Sequence, residues 1–97
     1  MNIIWYPTAE RDLFALVDYI AENSPQAALR IYETIRTSVN RLATFPQSGR
    51  AGRVERTREL VIPGLPYIVV YTIDRQDVKI WAVYHTSRKW PESFPTD

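Results

Sequence analysis

The sequence predicts an α+β domain in which an antiparallel helical hairpin packs on a small, twisted, mostly antiparallel sheet, in the order β-α-α-β-β-β. Three observations predict it. Two consecutive segments carry apolar residues at helical spacing and are parted only by Asn23-Ser24-Pro25. Three runs rich in Val, Ile, Tyr and Trp follow at 58–62, 67–73 and 78–85, separated by short turns. A short apolar run, Ile3-Ile4-Trp5-Tyr6, precedes the helices and needs a strand partner that only the later runs can supply.

The first run is closed by Pro7. Thr8 reads as an N-cap, with Glu10 and Asp12 in the first turn against the helix dipole. Ala9, Leu13, Leu16, Val17 and Ile20 then define a buried stripe, so the first helix is expected from about Ala9 to Ala21. Ser24 caps the next helix and Pro25 occupies its first position, where a missing N–H costs nothing. Ala28, Ile31, Ile35, Val39 and Leu42 form its stripe, and it should end near Phe45, before Pro46. Helices joined by so few residues lie antiparallel, and the sheet must cover their apolar faces. Residues 47–56 read as a loop or a frayed element. The turns of the meander are Pro63-Gly64-Leu65-Pro66 and Asp74-Arg75-Gln76-Asp77. In the central strand Tyr67, Val69, Tyr71 and Ile73 point one way, and Ile68, Val70 and Thr72 the other. In the last strand, strict alternation sets Val78, Ile80, Ala82 and Tyr84 against Lys79, Trp81, Val83 and His85. One face covers the helices. The other, carrying Trp81 and His85, is an apolar second face of the kind that takes a partner.

At 97 residues with 45% hydrophobic content the chain makes one compact domain, expected to span 1–91, with 92–97 a loosely ordered tail. There is no Cys, hence no disulfide framework or thiolate metal site, and metal-ligand spacings and phosphate-binding Gly loops are absent too. We expect no cofactor and no metal. No apolar run is long enough for a bilayer and the N-terminus has no signal-peptide pattern, so a cytoplasmic location is expected.

The net charge of +1 hides an uneven distribution. Residues 1–49 carry one net negative charge, whereas in 50–58 Arg50, Arg53, Arg56 and Arg58 face only Glu55. Ten of the twelve basic residues are Arg, whose planar fork suits phosphate and carboxylate. The stretch fits an ordinary solvated loop and fits equally a surface for phosphate or an acidic partner. The sole His, His85, ends the last strand, and Arg88, Lys89 and Trp90 follow it. RNA cleavage needs a proton acceptor for the 2′-OH, a proton donor for the leaving oxygen and cations for the extra phosphate charge. His85 could exchange the protons, with Arg88 and Arg58 or Arg53 as charge stabilisers and Glu55 or Glu59 as a partner base. A hydrogen-bonded structural His at a strand end fits the same residues, and Trp81 and Trp90 read as packing residues as readily as base platforms.

The order of elements, with AERDLFALVDYIAENSPQAA over the helices, FPQSGRAGRVERTRELVIPGLPYIVVY through the middle and VKIWAVYHTSRKWP at the end, resembles the RelE/ParE superfamily of bacterial type II toxin–antitoxin systems. The resemblance runs from the first strand to Trp90. It implies a growth-inhibiting toxin held by a cognate antitoxin in a hetero-oligomer, with no membrane involved. Arg50, Arg53, Arg56, Trp81, Lys89 and Trp90 are the expected contacts to target or antitoxin. RelE-like members cut mRNA on the ribosome, and ParE-like members inhibit DNA gyrase without a nuclease centre. Ribonuclease members usually carry an Arg in the central strand, in a pattern like YRLVY; this chain reads Tyr67-Ile68-Val69-Val70-Tyr71, with Ile68 where that Arg is expected. The resemblance therefore leans towards a gyrase inhibitor. The alternative is a ribosome-dependent endoribonuclease using His85, Arg88, Arg58 and Arg53, and a further alternative is an inactive partner-binding module.

Overall fold

The computed structural model describes residues 1–87 of the chain. In chain order it contains β1 (Asn2–Trp5), α1 (Pro7–Ala21), α2 (Pro25–Asn40), a single 3₁₀ turn (Arg41–Ala43), β2 (Arg50–Ala51), β3 (Arg58–Val61), β4 (Tyr67–Asp74) and β5 (Asp77–His85). The strands form one sheet in the order β1-β5-β4-β3-β2. β1 runs parallel to β5, and every other pairing is antiparallel. A parallel pair needs a crossover, and the helical hairpin is that crossover.

Both helices start on proline. In α2 the Ser24 side chain accepts the Ala27 N–H at 3.2 Å, as a Ser before Pro25 should. In α1 the expectation fails. The helix begins at Pro7, with Tyr6 in the capping position and no side-chain cap, so Thr8 lies inside the first turn rather than before it. Pro7 has its φ already set for a helix, which moves the start two residues upstream of Ala9. The freed Thr8 hydroxyl donates instead to the Trp81 carbonyl of β5 at 2.9 Å. At the other end, α2 gives way to the 3₁₀ turn at Arg41, four residues before Phe45.

The two stripes meet the sheet as the periodicity demands. Ala9 and Leu13 of α1, Ile35 and Val39 of α2, and Leu42 of the 3₁₀ turn are fully buried. They pack with Tyr67, Val69 and Tyr71 of β4 and Val78, Ile80 and Val83 of β5 in one core cluster, and Leu16, Val17, Ile20, Ile3 and Trp5 border it. Each fully buried Leu, Ile or Val contributes about 1.5–3 kcal/mol relative to exposure. Arg36 of α2 lies 5.0 Å above the Trp5 ring and 5.7 Å from the Tyr32 ring, a cation–π contact that ties the second helix to β1.

The sheet departs from strict alternation at one residue. Tyr71 pairs with Ile80, but Val70 pairs with Ala82, so Trp81 is an extra residue in β5, a β-bulge. Val78 and Ile80 face the helices as expected. Past the bulge the faces exchange, so Val83 and His85 turn to the helix side while Ala82 follows Trp81 onto the second face. The expectation that Trp81 and His85 share a face is therefore corrected. A single inserted residue reverses a period of two, and nothing in Trp81-Ala82-Val83 marks it, since all three suit a strand.

The bulge lies where β1 leaves the sheet. β1 covers β5 only to Ile80, whose carbonyl takes the Tyr6 N–H at 3.0 Å. Side chains of α1 then continue the edge: Thr8 donates to the Trp81 carbonyl, and Asp12 Oδ2 accepts the Val83 N–H at 3.0 Å. Residues 47–56, read as a loop or a frayed element, contain the two-residue edge strand β2, which is too short to carry a sequence pattern. No helix among the described residues is long and apolar enough to cross a membrane.

Leu13 sits at the centre of this packing with no exposure. Leu13→Ala is expected to lower the unfolding free energy by about 2–5 kcal/mol in a urea titration. A loss below about 1 kcal/mol would mean that α1 does not pack through this face.

Candidate functional site

Two regions gather the residues singled out in the sequence, at opposite corners of the sheet. The first is the end of β5. His85 stands opposite Tyr67 and meets its ring edge-on, with centroids 5.6 Å apart. Both border a cleft of about 590 Å³ between β5 and α1 that also takes in Asp12, Leu16, Tyr19 and Ser87. His85 Nδ1 accepts the Ser87 backbone N–H at 3.1 Å and lies 2.7 Å from the Ser87 hydroxyl. A backbone N–H can only donate, so Nδ1 carries the lone pair and the ring hydrogen of neutral His85 sits on Nε2. The imidazole can offer a proton from Nε2; its basic nitrogen is turned into its own turn. Arg88, Lys89 and Trp90 lie outside the described residues.

The second region is the basic stretch before and along β3, and it is strongly braced. Glu59 is only 3% exposed, an unusual place for a carboxylate, and three donors surround it. Arg50 reaches Oε1 through Nε at 3.0 Å and Nη2 at 2.9 Å, and the Arg53 backbone N–H reaches Oε2 at 3.2 Å. Arg58 turns inwards and donates to the Gly49 carbonyl at 2.7 Å and the Gln47 carbonyl at 3.4 Å. The Tyr71 hydroxyl donates to the Pro46 carbonyl at 2.7 Å and accepts the Gly49 N–H at 2.9 Å. The chain comes so close here that a Cβ on Gly49 would lie 2.6 Å from that hydroxyl and 2.9 Å from the Glu59 carbonyl, so only glycine fits. Beyond β2, the Thr57 hydroxyl and N–H both return to the Val54 carbonyl, closing a tight turn in which Arg56 takes a left-handed φ of 68°. Arg50, Arg53 and Arg56 are all exposed on this frame.

The sheet keeps the two regions apart. Arg58 pairs with Tyr71 and His85 with Tyr67, two strands away and four residues along, which places their Cα atoms roughly 16 Å apart. Arg53 lies further out, beyond β2. Trp81 belongs to neither region. Its indole N–H donates to the Thr72 hydroxyl at 2.7 Å and its ring packs at 4.1 Å on Tyr6, so it serves the packing of the second face. The middle of that face, at Ile68, Val70 and Ala82, is itself buried, and its exposed apolar residues, Ile4 and Val61, stand at the two margins. Among the described residues no cluster of His, Asp and Glu could hold a metal ion.

A family model described as the ParE toxin of the type II toxin–antitoxin system, parDE, matches residues 3–90. The chain belongs to the ParE toxin family. Y4kP of Sinorhizobium fredii is 44% identical to it over 91 residues, 94% of each chain. Toxin RelE2 of Caulobacter vibrioides is 33% identical over 87 residues, covering 90% of this chain and 97% of its own. A solved chain from the chromosomal ParDE TA system of P. aeruginosa superposes with a TM-score of 0.78 at 24% identity, over 88% of this chain and 95% of its own. The helical hairpin on a five-stranded sheet is thus the fold of this family, as the sequence resemblance implied. The relatives carry both ParE and RelE names.

Two residues central to this ParE-family chain escaped the sequence reading, Tyr71 as a loop anchor and Glu59 as a buried clamp. Both look like ordinary strand residues, and their partners are set by a chain reversal with no local signature. The available signal was the pair Gly49 and Gly52 among arginines, which marks close backbone approach. Burial raises the Tyr71 hydroxyl above its ordinary pKa of 10.0, while the Gly49 N–H bond and the Arg58 charge pull weakly downwards. The fold therefore holds this proton more tightly than the unfolded chain does. Its contribution to stability is complete below pH 10 and is lost as pH rises through the folded-state pKa. Tyr71→Phe should cost about 1–3 kcal/mol at neutral pH, because Gly49 N–H and the Pro46 carbonyl lose their partner. It should also remove part of the decline in stability above pH 10. Equal stability of the two proteins by urea titration at pH 8 would show that the anchor is idle.

Proposed function

We propose that this toxin-family chain arrests growth by inhibiting DNA gyrase and is neutralised by a cognate antitoxin with which it forms a hetero-oligomer. What supports gyrase over RNA as the target is that, among the described residues, the groups RNA cleavage would use are not gathered. His85 has its basic nitrogen engaged by Ser87, and Arg58 is spent on the carbonyls of Gln47 and Gly49, roughly 16 Å away. Ile68 stands where ribonuclease members of the superfamily usually carry an Arg. An inhibitor that acts by binding needs no proton-transfer pair. It needs a rigid surface, and the braced stretch presenting Arg50, Arg53 and Arg56 is one. Lys89 and Trp90, which lie outside the described residues, are further contacts in this reading. Gyrase works in the cytoplasm, which is where this reading places the protein.

The second reading is a ribosome-dependent mRNA endonuclease with His85, Arg88 and Arg58 or Arg53. The 33% identity to a protein named RelE2 favours it. The two readings part at His85. Purified, antitoxin-free protein is expected to block gyrase supercoiling of relaxed plasmid, and His85→Ala is expected to block it within about threefold of wild type. Full supercoiling in the presence of excess wild-type protein would remove gyrase as the target.

A further inference from the structure

Two tyrosines of β4 point towards the helices, and their hydroxyls differ. Tyr71 spends its hydroxyl on the Pro46 carbonyl and the Gly49 N–H. Tyr67 is only 9% exposed, yet its hydroxyl has no hydrogen-bond partner among the described residues. A phenol taken from water into a protein normally finds one. Every fully buried side-chain polar atom of the described residues is bonded, so the small exposed part of Tyr67 includes its hydroxyl. That tip opens on the cleft of about 590 Å³ between β5 and α1.

The cleft has the make-up of a small-molecule site, mostly apolar with a few polar groups and within the usual size range. Leu16, Ile20 and Val83 give it apolar walls, and Tyr19, Tyr67 and His85 bring three rings to it. Tyr19 is 72% exposed, so its ring is open to stacking. His85 adds a second unspent donor. Its Nδ1 is held by Ser87, and its Nε2–H has no partner among the described residues. Asp12 is the only acidic or basic residue on the lining apart from His85, and its Oδ2 accepts the Val83 N–H. With His85 neutral, an anion therefore meets no opposite charge here.

We propose that this cleft binds a small, neutral aromatic molecule bearing a carbonyl, such as an aromatic amide or ketone, with its ring against Tyr19 and its carbonyl oxygen accepting the Tyr67 O–H. The ligand is aromatic because three rings border an otherwise aliphatic wall. It carries an acceptor because the unspent groups, the Tyr67 O–H and the His85 Nε2–H, are donors. It is neutral because an anion lacks a counter-charge and an ammonium, which only donates, leaves the His85 Nε2–H unanswered. The site lies away from the arginines of β2 and β3, so it does not rest on the choice of gyrase or RNA as target.

Tyr67→Phe separates binding from folding, because the hydroxyl it removes bonds nothing among the described residues. The variant is expected to unfold at the same urea concentration as wild type, unlike Tyr71→Phe. A lower midpoint would overturn the proposal by showing that the fold uses the hydroxyl. Benzamide is the probe, with benzoate and benzylamine as its ring-matched anion and cation. In a titration of the full chain at pH 8 followed by NMR, benzamide is expected to shift the Val83, His85 and Ser87 amides saturably. Tyr67→Phe should weaken that binding about tenfold, and benzoate and benzylamine should bind wild type at least tenfold more weakly than benzamide. No saturable shift with benzamide, equal binding by Tyr67→Phe, or tighter binding of either charged analogue would sink the idea. Overhauser contacts from Trp90 or Phe94 to the Tyr67 ring in the ligand-free protein would overturn it in favour of the chain's own C-terminal segment. Shifts of the same amides that grow with protein concentration would overturn it in favour of a second copy.

Discussion

One extra residue in the last strand decides how this molecule is arranged. Trp81 opposes nothing on β4, and from there to the strand end the two faces of β5 exchange. Before the bulge β5 needs a neighbour on its free side, and β1 supplies it as far as Ile80. After the bulge the neighbour is α1 itself, through Thr8 and Asp12. The parallel crossover can thus turn into a helix at Pro7 without leaving those backbone groups of β5 unsatisfied. The exchange also allows Val83 to enter the core and His85 to face the cleft beside α1 rather than the second face. A register slip of one residue is among the costliest errors a sheet can make, so placing it where the edge changes partner confines its effect to the final turn of the strand.

Much of this was legible in the sequence, for identifiable reasons. Helical stripes are a local signal, and Ala9, Leu13, Ile35 and Val39 lie where the spacing puts them. The Ser24-Pro25 start is equally local. Thr8 misled because it satisfies the rule for a cap while Pro7, one residue earlier, satisfies the rule for a first helical position, and the proline prevailed. The bulge was not legible, since no residue at 81–83 resists a regular strand. The clamps at Tyr71 and Glu59 were hidden for a different reason. Their partners lie 22–25 and 6–9 residues away across a reversal, and the residues that reveal it are the small ones, Gly49 and Gly52, rather than the charged ones that draw attention.

At the candidate site the sequence singled out His85, Arg58 and Arg53 together, and the structure sets His85 and Arg58 roughly 16 Å apart. His85 and Arg58 share a side of the sheet but stand at its two ends, His85 with Nδ1 held by Ser87 and Arg58 with Nη1 on the carbonyls of Gln47 and Gly49. Charge alone could not distinguish an arginine offered to a partner from one spent on carbonyls. Arg58 is the second kind, and Arg50 is balanced by a carboxylate that is almost wholly buried. The result is a braced margin on the β3 side, on which Arg53 and Arg56 are exposed, and a histidine held through Nδ1 by Ser87 on the β5 side. That division suits a protein that acts by occupying a surface better than one that moves protons.

The most direct measurement is to map mRNA ends by primer extension in a cell-free translation reaction containing the antitoxin-free protein. The account predicts the same ends as in its absence, with translation unimpaired. New codon-spaced ends that require ribosomes and vanish with His85→Ala would contradict it, and would mean that the turn holding the His85 ring opens when RNA binds.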